Sequence, residues 1–546
     1  MPGLPLTENG KVDRNALPAP DEVPSSTTVY VPPKTAIEEI VAGIWCEVLG
    51  VDQVGTTENF FDLGGHSLLA TQIIARMREA FQVELPLRTL LEANTVASLA
   101  EGIEQGLRTG ALPPAPPLIR VNRDGVLPLS FAQQRLWFID QLEPGSAVYN
   151  IPAAIRLTGH LDLSALQESL NRLTARHEIL RTTFITEAGK PRVQISDPEP
   201  FSVPITDLSA MLPDDRNDEA RRLVREEVIR PFDLSCGPLL RVKLIALQAE
   251  EHVLLLVMHH IIADGWSIGV MIRELSALYN AIAEGREPEL QDLPVQYVDY
   301  ASWQREWLRD EVLQEQLSYW KQQLEGAPAL LELPADRPRP ATPTHRGGQE
   351  RFIIPSDVSR SLRELSKREG ATLFMLLLAA FKVLLMRYSG QTDVVVGTPI
   401  AGRRHKEVEG LIGLFVNALV MRTDISGDPR FKDLLKRVKE TCLGAFSHQD
   451  VPFEKLVDEL QPERASSHSP LFQVVFAMQN VPRERIALSG LEASGAGIEG
   501  EIAKFDLSMV ISEAEDSLIG GLEYNSDLFD RERITRLATH FQTILA

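Results

Sequence analysis

Met258-His259-His260-Ile261-Ile262-Ala263-Asp264-Gly265-Trp266-Ser267 follows directly on a continuous apolar run, Val253 to Val257. An uninterrupted apolar run of this length, closed by polar residues, reads as a buried strand. The strand end delivers two adjacent imidazoles and then an Asp-Gly pair to one place. Histidine exchanges a proton near neutral pH with little tuning, so the stretch predicts a neutral base facing a pocket.

Outward from that strand the pattern alternates. Strand-like runs occupy Ile151–Leu157, Val394–Val396 and Phe472–Phe476, and helical periodicity marks Leu163–Arg176, Ser267–Ala283, Ser361–Arg368 and Thr372–Arg387. This is a mixed α/β pattern without a short-period repeat, large enough for two lobes. Two proline-rich seams precede it, one from Ala16 to Pro33 and one from about Gly106 to Val126, and both read as extended linkers. Between the seams lies a small helical bundle. Thr35-x-x-Glu38 has the form of a capping box, and Ile37, Ile40, Val41, Ile44, Trp45 and Val48 recur behind it at helical spacing. A second helix begins at Ser67, with a stripe through Leu69, Ile73, Met77 and Phe81, and Asn94 or Thr95 caps a last one.

Composition narrows the class. A chain of 546 residues exceeds a single core, and its 44% apolar content is that of a globular protein. A net charge of −21 argues against nucleic acid as a partner. The longest apolar stretch, Thr372 to Met386, is broken by Lys382 and too short to cross a bilayer, so no membrane role is expected. Cys46, Cys236 and Cys442 lie far apart, with no histidine at metal-ligand spacing, which fits a reducing cytoplasm and predicts no metal. Met-Pro-Gly-Leu-Pro at the start lacks the features of a signal peptide.

In the bundle, Asn59-Phe60-Phe61-Asp62-Leu63-Gly64-Gly65-His66-Ser67-Leu68 sets a tight turn before a helix and leaves the Ser67 hydroxyl outward. Taken alone, Ser67 is an ordinary helix cap. The whole window, flanked by linkers, resembles a peptidyl carrier domain. The resemblance implies 4'-phosphopantetheine carried covalently on Ser67, attached by a phosphopantetheinyl transferase. A thiol on a flexible tether presents a bound acyl group at high effective concentration. His66 in this window goes, in the family, with carriers that feed a condensation domain. Leu4-Pro5-Leu6-Thr7-Glu8-Asn9-Gly10-Lys11 resembles the last motif of adenylation domains, with Lys11 matching the lysine that contacts the acyl-adenylate. The rest of such a domain is absent, so no adenylating activity is expected.

Seven windows in order carry a second resemblance. They are Ser130–Phe138, Arg176–Phe184, the His259–Gly265 stretch, Tyr297–Gln304, Ile412–Asn417, His448–Glu454 and Ser469–Phe472. Together they are similar to the condensation domains of nonribosomal peptide synthetases. The expected organisation is residues 1–18 as the tail of an adenylation domain, 19–33 linker, 34–105 a four-helix carrier, 106–126 linker and 127–546 condensation domain. The family fold is a pair of chloramphenicol-acetyltransferase-like lobes in a V, here about 127–300 and 301–546, with a tunnel reached by donor and acceptor carriers from opposite faces. The implied reaction is attack of an acceptor amine on a donor thioester.

His260 matches the family's catalytic residue, either as base or by positioning the reacting groups. Gly265 offers an amide as an oxyanion donor. His259 and Asp264 are expected to be structural, and Arg403 is the expected partner of Asp264 across the lobes. His177, His448 and Trp303 read as packing or capping residues; His345, His405 and His468 sit in polar loops and read as solvated. The partners implied are an upstream adenylation domain and a downstream aminoacyl carrier, in a pathway of the antibiotic or siderophore kind.

Related domain types fit less well. Gly265 is followed by Trp266-Ser267 and not by the Val-Ser-Trp of epimerisation domains, and the aspartates of heterocyclisation domains are missing. A degenerate recruitment domain loses the second histidine. A dual epimerising domain carries an extra histidine motif near its start, where only His160 occurs. A condensation domain joining an L-donor to an L-acceptor is the expectation, with a catalytically silent docking unit as the alternative from another class.

Overall fold

The computed structural model describes residues 31–81, 85–109, 116–187, 189–342, 344–461, 467–479, 486–496, 502–514 and 516–546. Lys11 and the adenylation-like tail lie outside them. The bundle has four helices, α1 (Ala36–Leu49), α2 (Ser67–Phe81), α3 (Leu87–Glu92) and α4 (Val96–Thr109). Thr35 and Glu38 form the reciprocal capping box of α1. Thr95, rather than Asn94, caps α4: its hydroxyl accepts Ser98 N–H, and Ser98 Oγ accepts Thr95 N–H, each at 3.2 Å. Trp45, Phe60, Ile73, Met77, Leu90 and Leu99 are fully buried between these helices.

The second seam divides in two. Helix α4 runs on to Thr109, and from Pro116 the chain is pinned to the large domain. Arg120 donates to the Leu293 carbonyl at 2.7 Å, Val121 N–H to Asp299 at 2.8 Å, and Arg123 pairs with Asp299 and Glu178. Trp303, read as a packing residue, donates its indole N–H to the Pro116 carbonyl at 2.7 Å.

The first lobe comprises α5 (Phe131–Leu142), β1 (Asn150–Gly159), α6 (Leu163–Arg176), β2 (Thr182–Glu187), β3 (Lys190–Ile195), β4 (Ile205–Asp207), α7 (Pro213–Ile229), β5 (Leu240–Gln248), β6 (Glu251–His259) and α8 (Gly265–Ala283). Helices α9 (Tyr297–Trp307) and α10 (Asp310–Leu324) lead onward. The second lobe comprises β7 (Gly347–Ile354), α11 (Ser356–Arg368), α12 (Leu373–Ser389), β8 (Asp393–Ile400), β9 (Asn417–Asp424), α13 (Phe431–Ser447), α14 (Phe453–Leu460), β10 (Val474–Gln479), β11 (Leu491–Gly495), β12 (Leu507–Glu513), β13 (Leu518–Asn525) and α15 (Arg531–Leu545).

Strand β6 is the centre of a five-stranded sheet in the order β11-β1-β6-β5-β4, antiparallel to both its neighbours. Its apolar run is continuous because both faces are covered. Val253 packs with Ala220 and Leu223 of α7, while Leu254 and Leu256 belong to the core that includes Leu166 and Leu170 of α6. The six-stranded sheet of the second lobe runs β7-β13-β12-β10-β8-β9, with β10 parallel to β12 and β8. Strand β11 departs from the expected division at residue 300. It leaves the second lobe and adds to the edge of the first lobe's sheet, antiparallel to β1. This crossing ties the lobes together over the crevice between them.

Lys382, the polar interruption in the apolar run of α12, is fully buried and donates to Met421 O and Thr423 Oγ1 at 2.6 Å each. Burial pulls its pKa down to about 7. Among the described residues no single helix is long and apolar enough to cross a membrane.

Candidate active site

Strand β6 ends at His259, and His260 opens the turn that leads into α8. His260 N–H donates to Tyr149 O at 2.8 Å, which fixes the turn against the start of β1. Its Nδ1 lies 2.9 Å from Ala263 O. A carbonyl only accepts, so Nδ1 carries the proton and Nε2 is left as the acceptor. The ring is deep in the protein yet keeps part of its surface open. Burial pulls its pKa down to about 4, the Lys504 ammonium adds to this, and Asp264 opposes it. At neutral pH His260 is an uncharged base with an available nitrogen.

His259 has a different place. It is 4% exposed, its Nδ1 accepts Ile261 N–H at 3.1 Å, and Phe232 packs edge-on against its ring. Burial pushes its pKa to about 3. It shapes the turn and faces away from open space.

Asp264 caps α8, accepting Ser267 N–H at 2.9 Å, and also accepts Phe415 N–H at 2.9 Å. Arg403, just beyond β8, pairs with it at 3.3 Å across the crevice. Both side chains are buried, and Arg403 is further held by the carbonyls of Val408 and Leu411 and by the Phe415 ring 4.1 Å away. The pair anticipated between the lobes is therefore formed, inside a network that Ser267 and Gly413 complete.

Gly265 opens α8 with its Cα toward a cavity of about 650 Å³, and a Cβ added there would meet nothing within 4 Å. Ser67 of the carrier lines the same cavity, together with Trp266, Ile268, Phe374, Ile400 and Met478. Ser67 is the first helical residue of α2, and the capping contact comes from His66, whose Nδ1 accepts Leu69 N–H at 3.5 Å. The preceding turn needs both glycines: Gly64 has φ +90°, and a Cβ on Gly65 would come within 2.5 Å of Phe60. A largely apolar passage from the Ser67 hydroxyl to the open side of Gly265 fits a long, thin alkyl-amide arm.

The carrier seats on the second lobe by charge as well as shape. Arg76 lays both terminal nitrogens on Glu409, at 3.2 and 3.3 Å, and Lys367 pairs with Asp62 at 2.8 Å. The Arg76 side chain is only 14% exposed. Leu68 lines the shared cavity, whereas Met77 is wholly inside the carrier core. Burial pushes the Glu409 carboxyl up against the pull of Arg76. Reversing Arg76 to Glu should slow transfer from the carrier about tenfold, and the exchange Arg76→Glu with Glu409→Arg should recover most of it. Single-turnover kinetics would show this.

Of the remaining histidines, His177 is buried against Glu274 at 2.8 Å and His448 stacks on Tyr319 at 4.0 Å, both away from the crevice. His405, expected to be solvated, is not. Trp303 covers it at 4.5 Å, and burial, reinforced by Arg78 and Arg404, pushes its pKa to about 3. His345 and His468 are likewise half-buried, each with Nδ1 near a backbone carbonyl.

Three imidazoles, His259, His260 and His405, thus stay uncharged when folded and take up protons near pH 6.5 when unfolded. Stability should fall as pH drops from 7.5 to 5.5, each contributing about 1.4 kcal/mol per pH unit below 6.5. Urea unfolding across that range, in the wild type and in His405→Phe, should show the smaller slope in the variant.

A second cavity, of about 870 Å³, is lined by Asn150, Arg156, Val253, Lys504 and Glu523 among others. Asp264 and Gly265 border the first cavity, and Asn150, next to Tyr149, borders the second.

Residues 123–546 match the condensation domain family, and the chain belongs to it. Residues 39–103 match the family described as a phosphopantetheine attachment site. The pair is that of a nonribosomal peptide synthetase, in which a carrier bearing phosphopantetheine precedes a condensation domain. Over its whole length the chain is 52% and 51% identical to two of the proteins that make up the linear gramicidin synthase of Brevibacillus parabrevis. It spans 11% and 7% of the length of those relatives. Among solved structures it is similar to the X-domain from teicoplanin biosynthesis, with a TM-score of 0.73 and 33% identity over 79% of this chain and 96% of that one.

Proposed function

We propose that this chain performs one elongation step of a peptide assembly line. The acyl group held on the carrier at Ser67 is transferred to the amine of an aminoacyl group on a downstream carrier. The observation that carries the reading is the cavity lined both by Ser67 and by Asp264 and Gly265, which follow His260 in the chain. In this reading the shared cavity is the donor side and the second cavity receives the acceptor. Phosphopantetheine on Ser67 supplies the thioester. Trp266, Ile268 and Met478 line its path and exclude water. His260 Nε2 receives or orders the proton of the acceptor nitrogen. The Gly265 amide, at the N-terminus of α8, faces the place where the carbonyl oxygen gains charge. Asp264 and Arg403 hold that helix end and the second lobe in register.

The upstream adenylation domain and a phosphopantetheinyl transferase are the partners that load the carrier. Peptide antibiotics are the product class, as the names of the gramicidin relatives suggest. The donor and acceptor are both L-configured in this reading, since His160 is the only histidine near the start of the large domain before Arg176. Three separated free cysteines support a cytoplasmic setting. The direct test loads Ser67 with an aminoacyl-phosphopantetheine, adds an aminoacyl carrier of a following module, and looks for dipeptide by intact mass. Dipeptide on the added carrier supports the reading; its absence, with both carriers loaded, removes it.

A further inference from the structure

The second cavity holds a charged pair that the chemistry described so far does not use. Lys504 follows the crossing strand β11, and Glu523 stands on β13; both side chains line the second cavity. Lys504 Nζ lies 5.2 Å from the centre of the Tyr149 ring, and that ring stands 6.5 Å from His260 and 6.3 Å from His259. The three elements that close on His260 from this side therefore present a phenol ring, the first histidine and an ammonium.

We propose that Lys504 is a positioning residue for peptide-bond formation, its ammonium on the wall of the acceptor chamber excluding a second cation from the space beside His260. The proposal rests on the reading of this chamber as the acceptor side. An amine entering as ammonium is repelled there, so it leaves its proton to solvent and arrives as the neutral nucleophile. The acceptor nitrogen then forms the new C–N bond, the C–S bond breaks with its electron pair on sulfur, and the proton lost by nitrogen passes by way of His260 Nε2 to that sulfur.

Among the described residues, Lys504 is the cation that bears on His260, together with the Asp264 carboxylate. Asp264 is matched by Arg403, and Arg156, on the same chamber wall, is matched by Glu251 at 2.6 Å. Arg241 bears on His259 from β5 and is itself paired with Glu227. Glu523 faces Lys504 and partly offsets its charge, while burial pushes the Glu523 carboxyl up against the pull of Lys504. Lys504 is drawn down to about 8 by burial and remains charged at neutral pH. The same cation contributes to keeping both His259 and His260 neutral.

Two readings on the full chain test this. Histidine side-chain NMR, with His260 assigned through His260→Gln, follows the imidazole without any loaded carrier. Its midpoint should rise by about one pH unit in Lys504→Met and stay at the wild-type value in Lys504→Arg. Transfer from loaded Ser67 to an aminoacyl carrier, followed between pH 6 and 9, should show its acid limb moved upward by about one unit in Lys504→Met, a tenfold loss at the low end, with recovery in Lys504→Arg. Lys504→Gln serves the same comparison if the methionine variant does not fold. An unchanged His260 midpoint and an unmoved acid limb overturn the proposal. A wild type that makes no dipeptide at any pH overturns instead the assignment of the reaction, while the NMR titration still reports on Lys504.

Discussion

Replacing His260 by valine should cut peptide-bond formation by about 10²–10⁴-fold while leaving folding and the loading of Ser67 unchanged. The geometry separates these outcomes. Among the described residues the His260 side chain makes one hydrogen bond, Nδ1 to Ala263 O, and its main-chain bond to Tyr149 survives substitution. Nε2 is left for the reacting groups, and valine fills much of the ring's space without offering an acceptor. Intact mass of the two carriers, sampled in a single turnover, would give the rate. A loss of less than about tenfold would assign the acceleration to the holding of donor and acceptor in one crevice, for which ordered placement alone can suffice.

Asp264→Ala should act on the fold first. The carboxylate caps α8, accepts Phe415 N–H and neutralises Arg403, which is itself 2% exposed. Removing it leaves a guanidinium in the interior facing two carbonyls and an aromatic ring. Stripping one partner from a buried ion pair costs about 3–5 kcal/mol, and the lost cap adds about 1 kcal/mol. Soluble yield should drop and thermal unfolding by circular dichroism should move down by several degrees. Asp264→Asn keeps an acceptor for Ser267 N–H and loses the charge, so it should fall between wild type and alanine. An alanine variant as stable as wild type but inactive would instead make Asp264 a participant in the reaction.

Much of this site is legible in the chain itself, for reasons that differ by residue. Strand β6 is plain because a strand buried on both faces has no polar positions to blur it. Leu163–Arg176 coincides with α6 because the periodicity ends at a polar cap on each side. The partnership of Asp264 with Arg403 rests on the family resemblance, since nothing in local spacing connects residues so far apart.

Other features have no local signal. Strand β11 is Leu491-Glu-Ala-Ser-Gly495, too short and too polar to show alternation, and what defines it is the open edge of β1. Arg76 looks like any arginine on a solvated helix until Glu409 arrives from the other domain. His405 lies among charged residues and is half-buried, with Trp303 packed edge-on against it. Lys504 carries no motif, and its meaning depends on the crossing chain that brings it beside Tyr149.

The most direct measurement of the whole account is the reach of the carrier's arm. Ser67 can be loaded with a pantetheine analogue ending in a bromoacetyl group, and the alkylated residue mapped by tandem mass spectrometry. Passage through the shared cavity predicts intramolecular alkylation of His260 Nε2, faster than when the same loaded carrier domain is added in trans to a Ser67→Ala chain. Modification of residues outside the crevice, with His260 untouched, would contradict it.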